Sequence, residues 1–142
     1  MKVRRLKQDE ISESLGLVWR VFCRYEAVSY PESIKAAFWQ AIHSEDYLNM
    51  LTAYGAFDDS NQLTGIIATR NEGTHIALFF VDGDYQGQGI GRKLWNTMLD
   101  DNANNKNLFI LRSKLFRYML SLDLSKQGIF KPRMEFLYTN GF

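Results

Sequence analysis

Apolar residues in the first fifty positions recur every three or four residues, and from Leu51 onward they gather into short runs and alternations. Lys2 to Leu6 alternates weakly and predicts a first strand. Ile11, Leu15, Val18, Phe22 and Tyr25 then share one face of a helix, with Asp9 placed to cap it. Pro31 suits the first turn of a second helix, where its missing N–H costs nothing. Ile34, Ala37, Phe38, Ala41 and Ile42 follow the helical template behind it. A short helix is predicted near Glu45 to Met50. LTAYGAF and LTGIIATR read as strands joined by the turn DDSNQ, which makes a hairpin. NEG is a second turn, and THIALFFV is a fourth strand whose unbroken apolar stretch from Ile76 to Val81 predicts cover on both faces. After a glycine-rich loop, Ile90, Leu94 and Met98 mark an amphipathic helix that the polar DDNANNKN ends. NLFIL is a further strand.

Composition narrows the class without deciding it. A chain of 142 residues with 46% hydrophobic and 14% aromatic content is long enough for one domain with a real core. A net charge of +1 gives no electrostatic case for nucleic acid. The single cysteine, Cys23, excludes an intrachain disulfide and a cysteine-only zinc site, and its apolar helical setting suits an inert thiol. The opening MKVRRLKQDE is charged, with no apolar stretch behind it for a signal peptide. No window approaches the roughly 18 apolar residues of a membrane span. The expectation is a cytoplasmic protein with neither a nucleic-acid nor a membrane partner.

The stretch DGDYQGQGIGRKLWNTML, residues 82–99, carries the chemistry. A Walker loop requires Lys-Ser or Lys-Thr after its glycines, whereas Arg92 and Lys93 precede Leu94, so no hydroxyl is placed for magnesium. A dinucleotide fingerprint requires G-x-G-x-x-G near a first strand, whereas Gly87, Gly89 and Gly91 are spaced G-x-G-x-G after a fourth. A pyrophosphate cradle fits better. Glycines let backbone N–H groups approach an anion, and the helix start adds unpaired N–H groups and the positive end of its dipole. Arg92 and Lys93 add positive charge nearby. No metal is expected.

Gln86, Gly89 and Gly91, between a central strand and a helix, match the acetyl-CoA motif of the GNAT family of N-acetyltransferases. FFVDGDYQGQGIGRKL as a whole resembles the small bacterial members, and the preceding order of strand, two helices and hairpin fits as well. The resemblance covers about residues 1–110. It implies an α+β acyl-CoA N-acyltransferase fold in which a mixed, mostly antiparallel sheet is flanked by helices, with residues 1–142 forming one such domain. It also implies acetyl-CoA as co-substrate and a small-molecule or peptide amine as acceptor. In that family the fourth and fifth strands splay apart and the pantetheine arm lies between them. Backbone groups of Phe80 and Val81 would then bond the pantetheine. Gln86, Gly87, Gln88, Gly89, Ile90 and Gly91, with Arg92 and Lys93, would hold the pyrophosphate. The amine attacks the thioester directly, and a backbone N–H near Phe80 or Val81 steadies the oxyanion.

For the base that takes the amine's proton, His75 and Glu72 are the candidates, at or just before the fourth strand. Each also has a plain reading, as a structural strand histidine and a solvated turn carboxylate. Arg70 fits an acceptor site or a surface ion pair equally well. Tyr85 is read as packing over the loop. Trp19, Tyr30, Phe38 and Trp39 fit an aromatic acceptor pocket, but at helical spacing also the core or the face of a homodimer.

The tail departs from the family. Residues 1–109 carry 11 basic and 14 acidic residues, whereas residues 110–142 carry 6 and 2. The family continues with a helix bearing a tyrosine near the CoA sulfur and closes with two strands. In the small bacterial members this reads roughly Thr-Val-Asn-Ser, a variable residue, Tyr-Ala-Val-Pro, and later Gly-Phe. Here the segment is ILRSKLFRYMLSLDLSKQGIF, and the final EFLYTNGF keeps only the Gly-Phe ending. A shifted codon frame across Leu111 to Leu122 permits Thr-Val, a gap and Ser-Leu-Tyr-Ala-Val-Pro, so a frameshift near residue 110 accounts for residues 111–142 as an atypical segment. A working but unusual tail accounts for them too, and the coding DNA separates the two. Tyr118 and Tyr138 are then only opportunistic candidates for the acid. The rival function is a non-catalytic or degenerate acyl-CoA-binding protein.

Overall fold

The computed structural model describes residues 1–27, 30–70, 73 and 75–102. The chain opens with β1 (Lys2–Arg5) and enters α1 (Gln8–Glu13) through Lys7. Asp9 does not cap this helix. Lys7 is the N-cap, and the Glu10 carboxylate reaches back to accept its backbone N–H at 2.7 Å. Arg4 grips the same carboxylate with two bonds, of 2.7 and 3.0 Å, so β1 and α1 are tied at their junction. Attraction to Arg4 and the Lys7 N–H holds Glu10 down at about 2.

The single helix predicted from Ile11 to Tyr25 is broken at Ser14. The Ser14 hydroxyl donates to the Ile11 carbonyl at 2.6 Å, competing with the helical ladder as mid-helix serines do. α2 (Leu15–Val21) follows and passes into a π-helical turn, Phe22–Glu26. Ile11, Leu15, Val18 and Phe22 are all buried, so the periodicity is right about the face although not about its continuity. Pro31 stands one position before α3 (Glu32–Ile42), in extended conformation. Of its predicted apolar face only Phe38 and Ile42 are buried; Ile34 is 38% exposed. α4 (Glu45–Asn49) is capped by the Ser44 hydroxyl.

Three strands then run in sequence: β2 (Thr52–Phe57), β3 (Leu63–Arg70) and β4 (His75–Val81). The described strands form one antiparallel sheet in the order β1-β2-β3-β4, and α5 (Ile90–Asp101) follows. NLFIL lies outside the described residues, together with the whole segment 110–142.

Each face of the sheet has its own core. Ala53, Phe57, Ile66, Ala68, Leu78 and Phe80 pack under α1 to α4. Tyr54, Ala56, Ile67, Phe79 and Val81 pack under Ile90, Leu94, Trp95 and Met98 of α5. The apolar run Ile76–Val81 is therefore covered on both sides, and each large side chain so buried contributes roughly 1.5–3 kcal/mol. Phe38 stacks on Phe22 with ring centres 4.0 Å apart, and Trp19 meets Trp39 edge-on at 4.8 Å. These aromatics fill the space between α2 and α3, with Trp39 left 44% exposed. Among the described residues no helix is long and apolar enough to cross a membrane.

Candidate functional site

The loop from β4 to α5 is fixed in its first half and open in its second. The Asp82 N–H donates to the Thr64 carbonyl of β3 at 2.8 Å, and the Asp82 carbonyl accepts from Tyr85 N–H at 2.9 Å. The Asp82 carboxylate accepts from Asp84 N–H at 3.1 Å and pairs with Arg20 of α2 at 2.5 Å. The Gln86 amide donates to the Val81 carbonyl at 2.9 Å, closing the turn onto the strand it left. Gly87, Gln88 and Gly89 are exposed beyond this point.

Gly87 and Gly89 have φ of +80° and +82°, a region where L side chains are strained, and a Cβ on either would meet nothing within 4 Å. Conformation, not crowding, demands glycine at both. Gly89 is also the N-cap of α5 and brings no side chain to cap it. The first-turn N–H groups of a helix have no intrahelical acceptor, and the positive end of the helix dipole lies at the same terminus. Gly91 differs. A Cβ there would lie 3.6 Å from Phe79, ordinary contact distance, so alanine would fit.

Two strand residues divide by register. Phe80 is opposite Ile66, and its carbonyl lies on the β3 side, 3.3 Å from where a Cβ on Gly65 would sit. Alternation along an antiparallel strand turns the backbone groups of Val81 and Phe79 the other way, to the edge with which no described strand pairs. Val81 therefore faces that edge and Phe80 faces β3, and the Val81 carbonyl already accepts the Gln86 bond.

Of the two basic residues after the loop, both are exposed, and the Lys93 ammonium donates to the Met1 carbonyl at 3.2 Å. His75 opens β4 opposite Arg70 in the backbone register. The His75 side chain and the whole of Glu72 lie outside what is described, as do Tyr118 and Tyr138. Among the described residues no group of three or more His, Cys, Asp or Glu could hold a metal ion. Cys23 is half-buried, and burial raises its thiol pKa.

The sequence reading missed Arg20, Asp58 and Gly65 as residues that shape the site. Tyr85 packs against the α5-side core and donates through its hydroxyl to Asp58 at 3.0 Å. A turn aspartate is legible in DDSNQ, but not its partner 27 residues on. A glycine inside the strand pattern LTGIIATR was the available signal for close backbone approach.

The family model described as an acetyltransferase (GNAT) domain matches residues 21–115. Apo-form YjaB from Escherichia coli, a solution structure, is similar at a TM-score of 0.55 and 19% identity, over 70% of this chain and 64% of that one. An acetyltransferase of the GNAT family from Staphylococcus aureus Mu50 is similar at 0.53 and 15% identity, over 72% and 66%. The likeness to these two is one of fold, and the chain spans a little under two thirds of either. No curated protein matches the chain.

Proposed function

The chain belongs to the acetyltransferase (GNAT) domain family, and from that premise we propose that it transfers an acetyl group from acetyl-CoA to an amine by direct attack. One observation carries the proposal: a loop with two exposed left-handed glycines, with open space where their side chains would stand, opens a helix at the end of a buried strand. That arrangement fits a pyrophosphate, and the glycines keep side chains out of its way.

Gly87 to Gly91, with Gln86 bracing their start and Arg92 close by, hold the pyrophosphate in this reading. The pantetheine runs along the edge of β4, meeting the outward backbone N–H of Val81. Acetyl-CoA supplies the electrophile, a thioester carbonyl. The amine nitrogen forms a bond to its carbon, the carbon–sulfur bond breaks, and the CoA thiolate leaves. The proton lost by the nitrogen is the proton the thiolate needs, so the reaction is balanced without an outside acid or base. His75 or Glu72 takes the proton from the amine, and an N–H on the β4 edge near Val81 steadies the oxyanion. The acceptor is an amine on a small molecule or peptide.

Calorimetry with acetyl-CoA, followed by thiol-release assays over a panel of amines, tests this. Binding in the micromolar range with release for at least one amine is expected. Absence of binding overturns the reading. Binding without release for any amine favours a non-catalytic acyl-CoA-binding protein.

A further inference from the structure

The second half of the β4–α5 loop is three exposed residues, Gly87 to Gly89, suspended between two fixed points. On the far side the fixed point is Ile90, the buried first residue of α5. On the near side it is Tyr85 and Gln86. Glycines lose more conformational freedom on ordering than any other residue, so amides that must converge on an anion depend on how firmly their flanks are held.

Gln86 is held by β4 itself, but Tyr85 is held from another element. Asp58 stands at the start of the β2–β3 turn. One carboxylate oxygen accepts the N–H groups of Ser60 and Gln62, both at 2.9 Å. Its N–H donates to the Gln62 carbonyl at 3.0 Å and its carbonyl accepts from Asn61 at 2.9 Å. The turn thus immobilises Asp58 and leaves its second oxygen aimed at the Tyr85 hydroxyl, 3.0 Å away. The Tyr85 ring is seated against the α5-side core, and its hydroxyl reaches past that core to the turn of the hairpin.

We propose that Asp58 and Tyr85 are a positioning pair for the anion-binding loop: the hairpin turn fixes Tyr85, and Tyr85 fixes the glycine amides that follow. The pair touches no substrate and acts through the loop. It rests on the reading of that loop as a pyrophosphate cradle. Asp58 stays ionised because the turn N–H groups and the Tyr85 hydroxyl all lower its pKa, and its charge in turn keeps the phenol protonated and donating.

Tyr85→Phe removes the hydroxyl and keeps the ring, so the fold is retained. CoA affinity, measured by calorimetry, should fall about five- to tenfold, a part of the worth of a hydrogen bond to a charged acceptor, because the loop must then be ordered on binding. Affinity for pantetheine, which lacks the pyrophosphate, should be unchanged in an amide-shift titration. Asp58→Ala on its own, and combined with Tyr85→Phe, completes the cycle, and the double variant should lose little more CoA affinity than Asp58→Ala alone. A melting temperature that falls while the CoA-to-pantetheine ratio stays at the wild-type value would mean the bond is only structural, and overturns the pair's role. Wild-type protein that fails to bind CoA overturns the cradle reading and this proposal together; a binding wild type with an unaffected Tyr85→Phe overturns this proposal alone.

Discussion

Gly65 lies directly beneath Ile90: a Cβ on Gly65 would stand 3.1 Å from the Ile90 Cγ2 and from the Leu94 Cδ1. The first turn of α5 therefore rests on bare backbone of β3, opposite Val81 in the sheet register. That contact sets how near the helix N-terminus comes to the end of β4, and so how wide the loop between them stands.

Gly65→Ala should consequently cost about 1–3 kcal/mol, the usual penalty for overfilling a packed site, because the Phe80 carbonyl at 3.3 Å cannot yield as the side chains can. Urea denaturation would measure the loss, and CoA affinity should fall with it as the helix is lifted.

Gly87, Gly89 and Gly91 should separate into two kinds. Gly87→Ala and Gly89→Ala each place a Cβ at a positive φ, at a cost of about 1–2 kcal/mol, and relief by rearrangement would turn the amides away. Gly91→Ala should stay within about 0.5 kcal/mol of wild type and keep CoA affinity, since its Cβ meets only Phe79 and Val81 at contact distance. Melting curves and calorimetry on the three variants would show the division.

Tyr54 donates its buried hydroxyl to Asp101 at the end of α5. Burial, then the bond to Asp101, raise the phenol from the ordinary 10 to about 12. The unfolded chain gives up this proton first, so the contribution is whole below pH 10 and disappears as pH rises through 12. Tyr54→Phe should lose roughly 1–2 kcal/mol at neutral pH and lack that alkaline fall. Urea midpoints between pH 8 and 12 would compare the two proteins.

Glu10 gives the opposite limb. Its carboxyl is depressed from 4.5 to about 2 by Arg4 first and the Lys7 N–H second. The unfolded state binds the proton first as pH falls, so the contribution is present above 4.5 and lost towards 2. Glu10→Gln should flatten this part of the acid unfolding profile, followed by circular dichroism.

The strands, the hairpin and the helix after the loop were legible because their apolar positions follow the period of the element that buries them. Ile90, Leu94 and Met98 are all buried. The break at Ser14 was not legible, since a hydroxyl that bonds back to Ile11 leaves the apolar spacing intact. Asp9 has the side-chain type of a cap, whereas the Glu10 carboxylate supplies the acceptor from inside the helix. In the candidate site, the glycines announced the open half of the loop. What holds the other half came from Arg20, Asp58 and Thr64, which are distant in sequence and ordinary in type. The alternation that turns Phe80 inward and Val81 outward depends on register, which no run of apolar residues specifies.

β2, β3 and β4 pair as neighbours in sequence across short turns, whereas β1 meets β2 only after four intervening helices. Closing the two hairpins costs little chain entropy, and closing β1 onto β2 costs more. Residues 52–86 hold the strand that ends at the loop, the turn that anchors Tyr85, and Gly65. Apart from Arg20, the support of the loop therefore lies in locally paired chain, and φ-values should be higher in β3 and β4 than in β1. A nascent chain can assemble the frame of this site by pairing with its immediate neighbours, before its own first strand has found a place.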